Sequence, residues 1–145
     1  MNVSDIMRTQ VFFLSPSDTV MHAARELIVN DVESALVRDD DGKVVGLVSE
    51  RDLLQAVLPN ISELMEAGGV RDFNDILELC RSHSEVRIEA IMTTALQTVG
   101  PNMGLVQALG SMLAQRHRRL PVMDDGKAVG IVTQRDLLRH VFVYA

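Results

Sequence analysis

Aromatic side chains are scarce in this sequence of 145 residues, which has no tryptophan, one tyrosine and four phenylalanines. So few rings cannot build the stacking platform on which proteins bind single-stranded nucleic acid. Positive charge is also in deficit, since the formal net charge is −6 at pH 7, whereas binding to a phosphate backbone depends on an excess of lysine and arginine. We therefore expect no nucleic-acid partner, and a local basic cluster would suit a small anion better.

Cysteine is represented by Cys80 alone, which cannot form an internal disulfide. This favours a reducing, cytoplasmic location, with Cys80 as a core residue rather than a reactive thiol. No apolar run approaches the roughly 18 residues that a membrane-spanning helix needs. The basic and then apolar opening of a signal peptide is missing too. The sequence thus predicts a cytoplasmic protein without a membrane partner.

Signatures of catalysis are hard to find. The four histidines lack zinc-ligand spacing, and the sequence has neither a Walker-type phosphate loop nor a Gly-x-Ser-x-Gly elbow. The acidic run Asp39–Asp41 is more typical of a solvated turn than of a metal site. We therefore expect no enzyme activity, no metal and no covalently bound cofactor.

An internal repeat, by contrast, runs through most of the chain. Gly46–Leu54 matches Gly130–Leu138, which begins 84 residues later, and Pro16 matches Pro101 at an offset of 85. One extra residue in the acidic turn of the first copy accounts for the change of offset, and turns tolerate such insertions well. Repetition of this kind indicates one duplicated structural unit.

Each copy has the hydrophobic pattern of a β-α-β-β-α unit. In the first copy we predict a helix capped by Ser17 or Asp18, strands over residues 35–37 and 44–48, and a last helix that begins near Ser49. In the second copy the matching strands cover residues 120–122 and 128–132, and the last helix begins near Thr133. Neither copy is large enough to bury a good core alone. We therefore predict an α+β fold in which the two repeats pack together with pseudo-two-fold symmetry.

The segment between the copies, residues 59–85, has no internal match. Pro59 should end the preceding helix, because proline cannot continue the backbone ladder. Asn60 or Ser62 would start one short helix and Asp72 or Asn74 another, and an apolar stripe (Phe73, Ile76, Leu77 and Cys80) runs along the second of these. We predict a helical hairpin inserted between a first repeat at 1–58 and a second at 86–145. Its more natural role is a structural cover, with an interaction surface as the alternative.

The pattern Ser/Thr-x-x-Asp occurs once in each copy, as Ser49 with Asp52 and as Thr133 with Asp136. Its spacing is that of a capping box at a helix start, which alone could explain it. The same arrangement also offers backbone N–H groups, a hydroxyl and a carboxylate to a phosphate or a ribose diol. The sequence leaves both interpretations open.

The basic pair Arg118 and Arg119 occurs in the second copy only, because Glu33 and Ser34 hold the matching places in the first. The fold therefore does not require arginine there. A solvated helix end is one explanation, since cations complement the dipole at a helix C-terminus. Arginine also binds phosphate oxygens with two parallel hydrogen bonds, and we favour anion binding.

Together these motifs resemble tandem cystathionine β-synthase (CBS) domains, often called a Bateman module. The resemblance is carried by Asp5-Ile6-Met7, Ser15-Pro16, Leu120-Pro121-Val122 and the repeated stretch Gly130–Leu138. It implies a regulatory module with two pseudo-symmetric clefts for adenosyl ligands such as AMP, ADP, ATP or S-adenosylmethionine. It also implies a disc-like homodimer that signals to an effector protein, which the sequence does not identify.

The resemblance also implies roles for single residues. In the second cleft Asp136 would hold the ribose hydroxyls, Thr133 would lie by the sugar and phosphate, and Arg118 with Arg119 would meet the phosphate. The opening segment, with Ser4 and Thr9, would cover the base. The first cleft would use Ser49, Asp52 and Thr94, and would be weaker because Glu33 replaces an arginine. The rival hypothesis is a ligand-free interaction or dimerisation module that uses the inserted hairpin.

Overall fold

The computed structural model describes residues 1–145, which form two compact units that are interleaved along the sequence. The terminal unit contains Met1–Phe12, Gly42–Val44 and Ala95–Ala145, and the central unit contains Phe13–Asp41 and Val45–Thr94. The opening segment of the chain therefore folds with the second repeat. Conversely, the stretch up to Thr94 folds with the first repeat.

The central unit is a small sheet with helices, as the repeat pattern predicts. Its elements are β1 (Phe13–Leu14), α1 (Val20–Val29), β2 (Ser34–Arg38), β3 (Val44–Ser49, whose first residue belongs to the terminal unit), α2 (Glu50–Val57), α3 (Ile61–Glu66), α4 (Phe73–His83) and a single 3₁₀ turn (Ile88–Ala90). The strand order is β1-β2-β3, with β1 parallel to β2.

The terminal unit is built around an antiparallel hairpin. Its elements are a 3₁₀ turn (Val3–Asp5), α5 (Leu105–Gln115), β4 (Arg119–Asp124), β5 (Lys127–Thr133) and α6 (Gln134–Tyr144). Asp125 and Gly126 connect the two strands with φ angles of 51° and 77°. Two consecutive positive φ values are typical of the tight hairpin turn that Asp-Gly favours. The α+β fold predicted from the sequence is confirmed.

The first strand of the second repeat, which the pattern β-α-β-β-α predicts, is reduced to an isolated bridge. Val99 makes a single parallel bridge to Val122, whereas the matching residue Leu14 belongs to a two-residue strand. Pro121 stands where the first copy has Leu36. Proline has no N–H to donate to a neighbouring strand, so the pairing cannot extend by another step.

The core of the terminal unit includes a residue from the very start of the chain. Val3 is fully buried together with seven residues of the second repeat, namely Val99, Ala108, Met112, Leu120, Val122, Val132 and Leu137. Its backbone N–H donates to the carbonyl of Met103 at 2.9 Å. Full burial of such a side chain contributes about 1.5–3 kcal/mol, so the opening segment is an integral part of this unit.

The predicted helix starts are confirmed at Ser49 and Thr133, which both form reciprocal capping boxes. Asp72 starts α4 in the same way. The predicted cap of α1 was wrong, because Thr19 rather than Ser17 or Asp18 accepts the N–H of His22. The carboxylate of Asp18 instead accepts the N–H of Ser15 at 2.8 Å, within the turn that precedes the helix.

The segment between the repeats contains the two predicted helices, α3 and α4, of which α4 packs against α2. Ile76, Leu77 and Cys80 are half-buried on α4. Phe73 was expected on the same apolar stripe, but 71% of it is exposed. It is the first residue of α4 and directly follows the cap, Asp72. None of the helices combines the length and the apolar composition that a membrane-spanning helix requires.

Gly130 allows the opening segment to approach β5 closely. A Cβ atom at this position would lie 2.7 Å from the sulfur of Met7 and 2.9 Å from the carbonyl oxygen of Arg8. The first repeat has the same arrangement, since a Cβ at Gly46 would lie 2.6 Å from the sulfur of Met92. Both glycines are therefore required for packing, although neither has a positive φ.

We expect Gly130→Ala to destabilise the protein by about 1–3 kcal/mol, because the methyl group must displace the backbone of Arg8. Chemical denaturation measures this loss. Gly110→Ala is the matched control, since Gly110 lies within α5 and a Cβ there meets open space. Alanine should stabilise that helix by roughly 0.5–1 kcal/mol. Similar stabilities for the two variants would contradict the packing argument.

Candidate functional site

The junction between β5 and α6 holds a buried carboxylate. The Oδ2 atom of Asp136 accepts the N–H of Thr133 at 3.0 Å and its hydroxyl at 2.8 Å. The hydroxyl oxygen of Thr133 in turn accepts the N–H of Asp136 at 3.2 Å. Such a box contributes about 1 kcal/mol to helix stability. Capping thus accounts for Oδ2 but leaves the other carboxylate oxygen, Oδ1, unexplained.

Arg8 occupies that second oxygen. Its Nε donates to Oδ1 of Asp136 at 3.0 Å, and the side chains are 52% and 8% exposed respectively. The backbone of Arg8 is fixed by Ile131, with which it exchanges two hydrogen bonds of 2.9 Å and 3.0 Å. An almost buried carboxylate requires a compensating partner. Asp136 is therefore both a helix cap and one half of an ion pair.

The basic pair lies beside the same helix start. Arg119 opens β4, is half-buried, and pairs with Thr133 in the register of the hairpin. Arg118 is exposed, and its carbonyl accepts the N–H of Gln134, the first residue of α6, at 3.0 Å. The N-terminus of a helix favours anions. The hairpin thus places the backbone of both predicted arginines beside the start of α6.

The two predicted residues of the opening segment belong to the same unit. Thr9 is exposed and directly follows Arg8. Ser4 is exposed within the 3₁₀ turn, and its N–H donates to the carbonyl of Pro101 at 2.9 Å. Both hydroxyl-bearing residues are thus on the surface of the unit that contains Asp136. Their predicted role over a base stays a prediction.

The central unit repeats this geometry with different charges. Ser49 and Asp52 form the capping box, with the N–H and hydroxyl of Ser49 at 2.8 Å and 3.0 Å from the carboxylate. Thr93 is the residue equivalent to Arg8 in the repeat, and it pairs with Leu47. The next residue, Thr94, is exposed. The carbonyl of Glu33 accepts the N–H of Glu50. In the same way, the carbonyl of Arg118 accepts the N–H of Gln134 in the terminal unit.

The two sites therefore share a backbone arrangement and differ in charge. The terminal site has three arginines, Arg8, Arg118 and Arg119. At the matching places, in the same order, the central site has Thr93, Glu33 and Ser34. A concentration of guanidinium groups at a helix start, next to a carboxylate, suits a ligand that combines an anionic group with hydroxyls.

Arg8 was not among the site residues predicted from the sequence. The signal that could have found it is the internal repeat, because alignment of Ile6-Met7 with Ile91-Met92 places Arg8 opposite Thr93. The same copy-specific comparison identified Arg118 and Arg119. The ion pair itself joins residues 128 positions apart, which no local pattern can indicate. No group of three His, Cys, Asp or Glu residues is arranged to hold a metal ion.

Comparison with known proteins identifies the family to which the two repeats belong. The family model described as CBS domain matches residues 3–59 and 88–143. An uncharacterised 17.7 kDa protein of Acidianus ambivalens is 30% identical over 138 residues, which cover 94% of this chain and 71% of that protein. An A-adding tRNA nucleotidyltransferase of Aquifex aeolicus is 28% identical, and the match covers 97% of this chain but 14% of the enzyme.

Solved structures show the same fold. The CBS-pair protein CBSX2 of Arabidopsis thaliana is 29% identical with a TM-score of 0.78, and the alignment covers 99% of this chain and 95% of CBSX2. A crystal structure of CBSX2 in complex with AMP aligns with a TM-score of 0.72 at 27% identity, covering 99% of this chain and 97% of that one. The family model matches both repeats, so this chain belongs to the CBS domain family and carries two copies of the domain.

Proposed function

We propose that this protein is a non-enzymatic regulatory module that binds an adenine nucleotide in the terminal unit. The ligand would lie at the start of α6, between the arginine pair and the Thr133–Asp136 cap. One observation carries the proposal: two sites with matching backbone geometry differ in that three arginines are present in one alone. A fold that needed these cations would have them in both copies.

Each residue at the site has a role that fits its chemistry. Asp136 accepts hydrogen bonds from the ribose diol, and Thr133 lies by the sugar and the phosphate. Arg118 and Arg119 bind the phosphate, because guanidinium groups match its oxygens. Ser4 and Thr9 belong to the segment that would cover the base.

AMP, ADP or ATP fits this site better than S-adenosylmethionine does. The nucleotides bring negative phosphates to the arginines, whereas the sulfonium centre of S-adenosylmethionine is positive and would be repelled. The AMP complex of CBSX2 supports this choice for a protein of the same fold and family. The central site, with Ser49, Asp52 and Thr94, would bind a phosphate-bearing ligand more weakly, because Glu33 adds a negative charge.

The apolar helix surface of the central unit would join two copies into a homodimer. A groove of about 430 Å³ lies between α1 and α2, and Ile28 and Leu54, which line it, are 77% and 59% exposed. Exposed apolar patches of this kind mark interaction sites. An effector protein would read the signal, and a ligand can change that output only to the extent that it prefers one arrangement of the assembly.

The rival function is a ligand-free interaction or dimerisation module that uses the inserted helices. The observation in its favour is the exposure of Phe73 on α4 and Met65 on α3, which are 71% and 59% exposed. Under this hypothesis the capping boxes at Ser49 and Thr133 would serve the helices alone.

Nucleotide binding should raise the melting temperature. At a concentration 100 times its dissociation constant, a ligand stabilises the folded state by ~2.7 kcal/mol. We expect thermal shift measurements with AMP, ADP, ATP, NAD and S-adenosylmethionine to show this for AMP, ADP or ATP, with little effect of the positively charged S-adenosylmethionine. Unchanged melting curves with all five compounds would rule out the proposed function.

Arg119→Ala should weaken AMP binding by about 10–100-fold, the magnitude of a lost charge-assisted hydrogen bond, and should change adenosine binding much less. Isothermal titration calorimetry measures both affinities. Ser34→Ala is the matched control at the corresponding place in the first repeat, and should leave both affinities as they are. Equal losses for AMP and adenosine would remove Arg119 from the phosphate role.

Dimerisation distinguishes the proposal from its rival. We expect Ile28→Ser to shift the sedimentation of the protein towards the monomer, because it removes apolar surface from the groove. Phe73→Ser, a matched change on the inserted helix, should leave the dimer intact. The opposite pattern would favour the insert as the contact surface.

A further inference from the structure

The carboxylate of Asp136 has little capacity left for a ligand. Oδ2 accepts two hydrogen bonds from Thr133 and Oδ1 accepts one from Arg8. An ionised carboxylate offers about four acceptor positions, and a ribose diol needs two of them. The bonds from Thr133 belong to the helix cap, so Arg8 is the partner that must yield.

The side chain of Arg8 has room to change its conformation, whereas its backbone is held in place. The backbone is held by the two hydrogen bonds to Ile131 and by the close approach of its carbonyl oxygen to Gly130. The side chain, by contrast, is 52% exposed. The ion pair uses Nε, and the two terminal nitrogens of a guanidinium carry four further N–H donors. If the ion pair with Asp136 breaks, the guanidinium of Arg8 can therefore bind a phosphate while the backbone of Arg8 stays in place.

We infer that Arg8 is a specificity-determining residue of the terminal site, which exchanges the carboxylate of Asp136 for the phosphate of the incoming nucleotide. This inference rests on the proposed function. When a nucleotide binds, its diol takes Oδ1 of Asp136 and its phosphate becomes the new partner of Arg8. Both charges remain compensated. Adenosine breaks the same ion pair and offers Arg8 no anion in return, so the site discriminates against it.

The central site lacks this device. Thr93 stands where Arg8 stands in the other copy, and a threonine cannot form an ion pair with Asp52. A ribose diol could therefore bind to Asp52 without breaking an ion pair like that between Arg8 and Asp136. The difference is independent of the Arg118–Arg119 pair, because it comes from the opening segment of the repeat.

The test compares AMP and adenosine on the wild-type protein, Arg8→Met and Arg8→Lys by isothermal titration calorimetry. Methionine keeps the apolar length of the side chain and removes its donors. We expect Arg8→Met to weaken AMP by about 10-fold or more, since it removes a charged hydrogen bond. Adenosine should bind about 2–5-fold more tightly, because the part-buried ion pair that competes with its diol has gone. Arg8→Lys should restore most of the AMP affinity.

The control is Thr93→Met, at the matching place in the first repeat, which should leave both affinities of the terminal site unchanged. Melting of each variant without nucleotide shows whether it is folded, and Arg8→Lys provides the test if Arg8→Met is not. A parallel loss of AMP and adenosine in a folded Arg8 variant would overturn the exchange and assign Arg8 a structural role. Unchanged affinities would overturn it too. If the wild type binds none of AMP, ADP and ATP, the proposed function itself is refuted, and the exchange with it.

Discussion

The close pairing of Arg8 with Ile131 is the contact on which the terminal unit depends. It is possible only because residue 130 is glycine, whose missing side chain leaves room for Met7 and for the Arg8 carbonyl. The pairing brings Val3 to its place in the core and sets the arginine against Asp136. A single packing constraint thus joins the stability of the unit to the chemistry of its site.

Comparison of the two copies shows which features belong to the fold. The helix caps, the glycines at the close approach and the backbone hydrogen bonds at residues 33 and 118 are present in both. Charge is what differs, at three positions that all lie near the start of the last helix of the repeat. Duplication therefore provides an internal control that a single domain does not offer, and the arginines stand out against it.

Much of the fold could be predicted from the sequence, because hydrophobic periodicity and capping residues act over a few neighbours. Ser49 and Thr133 were identified as caps for this reason. Thr19 was missed, since Ser17 and Asp18 have equally suitable side chains and only the path of the turn decides between them. The first strand of the second repeat was expected from the repeat pattern, but it is reduced to a bridge at Val99 because Pro121 lacks the N–H that further pairing would need. Arg8 was missed because its partner is remote in sequence.

The interleaving of the units has a consequence for the order in which the protein can fold during synthesis. Val3 is synthesised well before most of its core partners, which extend to Leu137. The terminal unit thus cannot close before nearly the whole chain has been made, whereas every residue of the central unit precedes Ala95. Contacts between distant parts of a sequence also form slowly. The nascent opening segment must therefore wait, with its apolar residues uncovered, until the second repeat arrives.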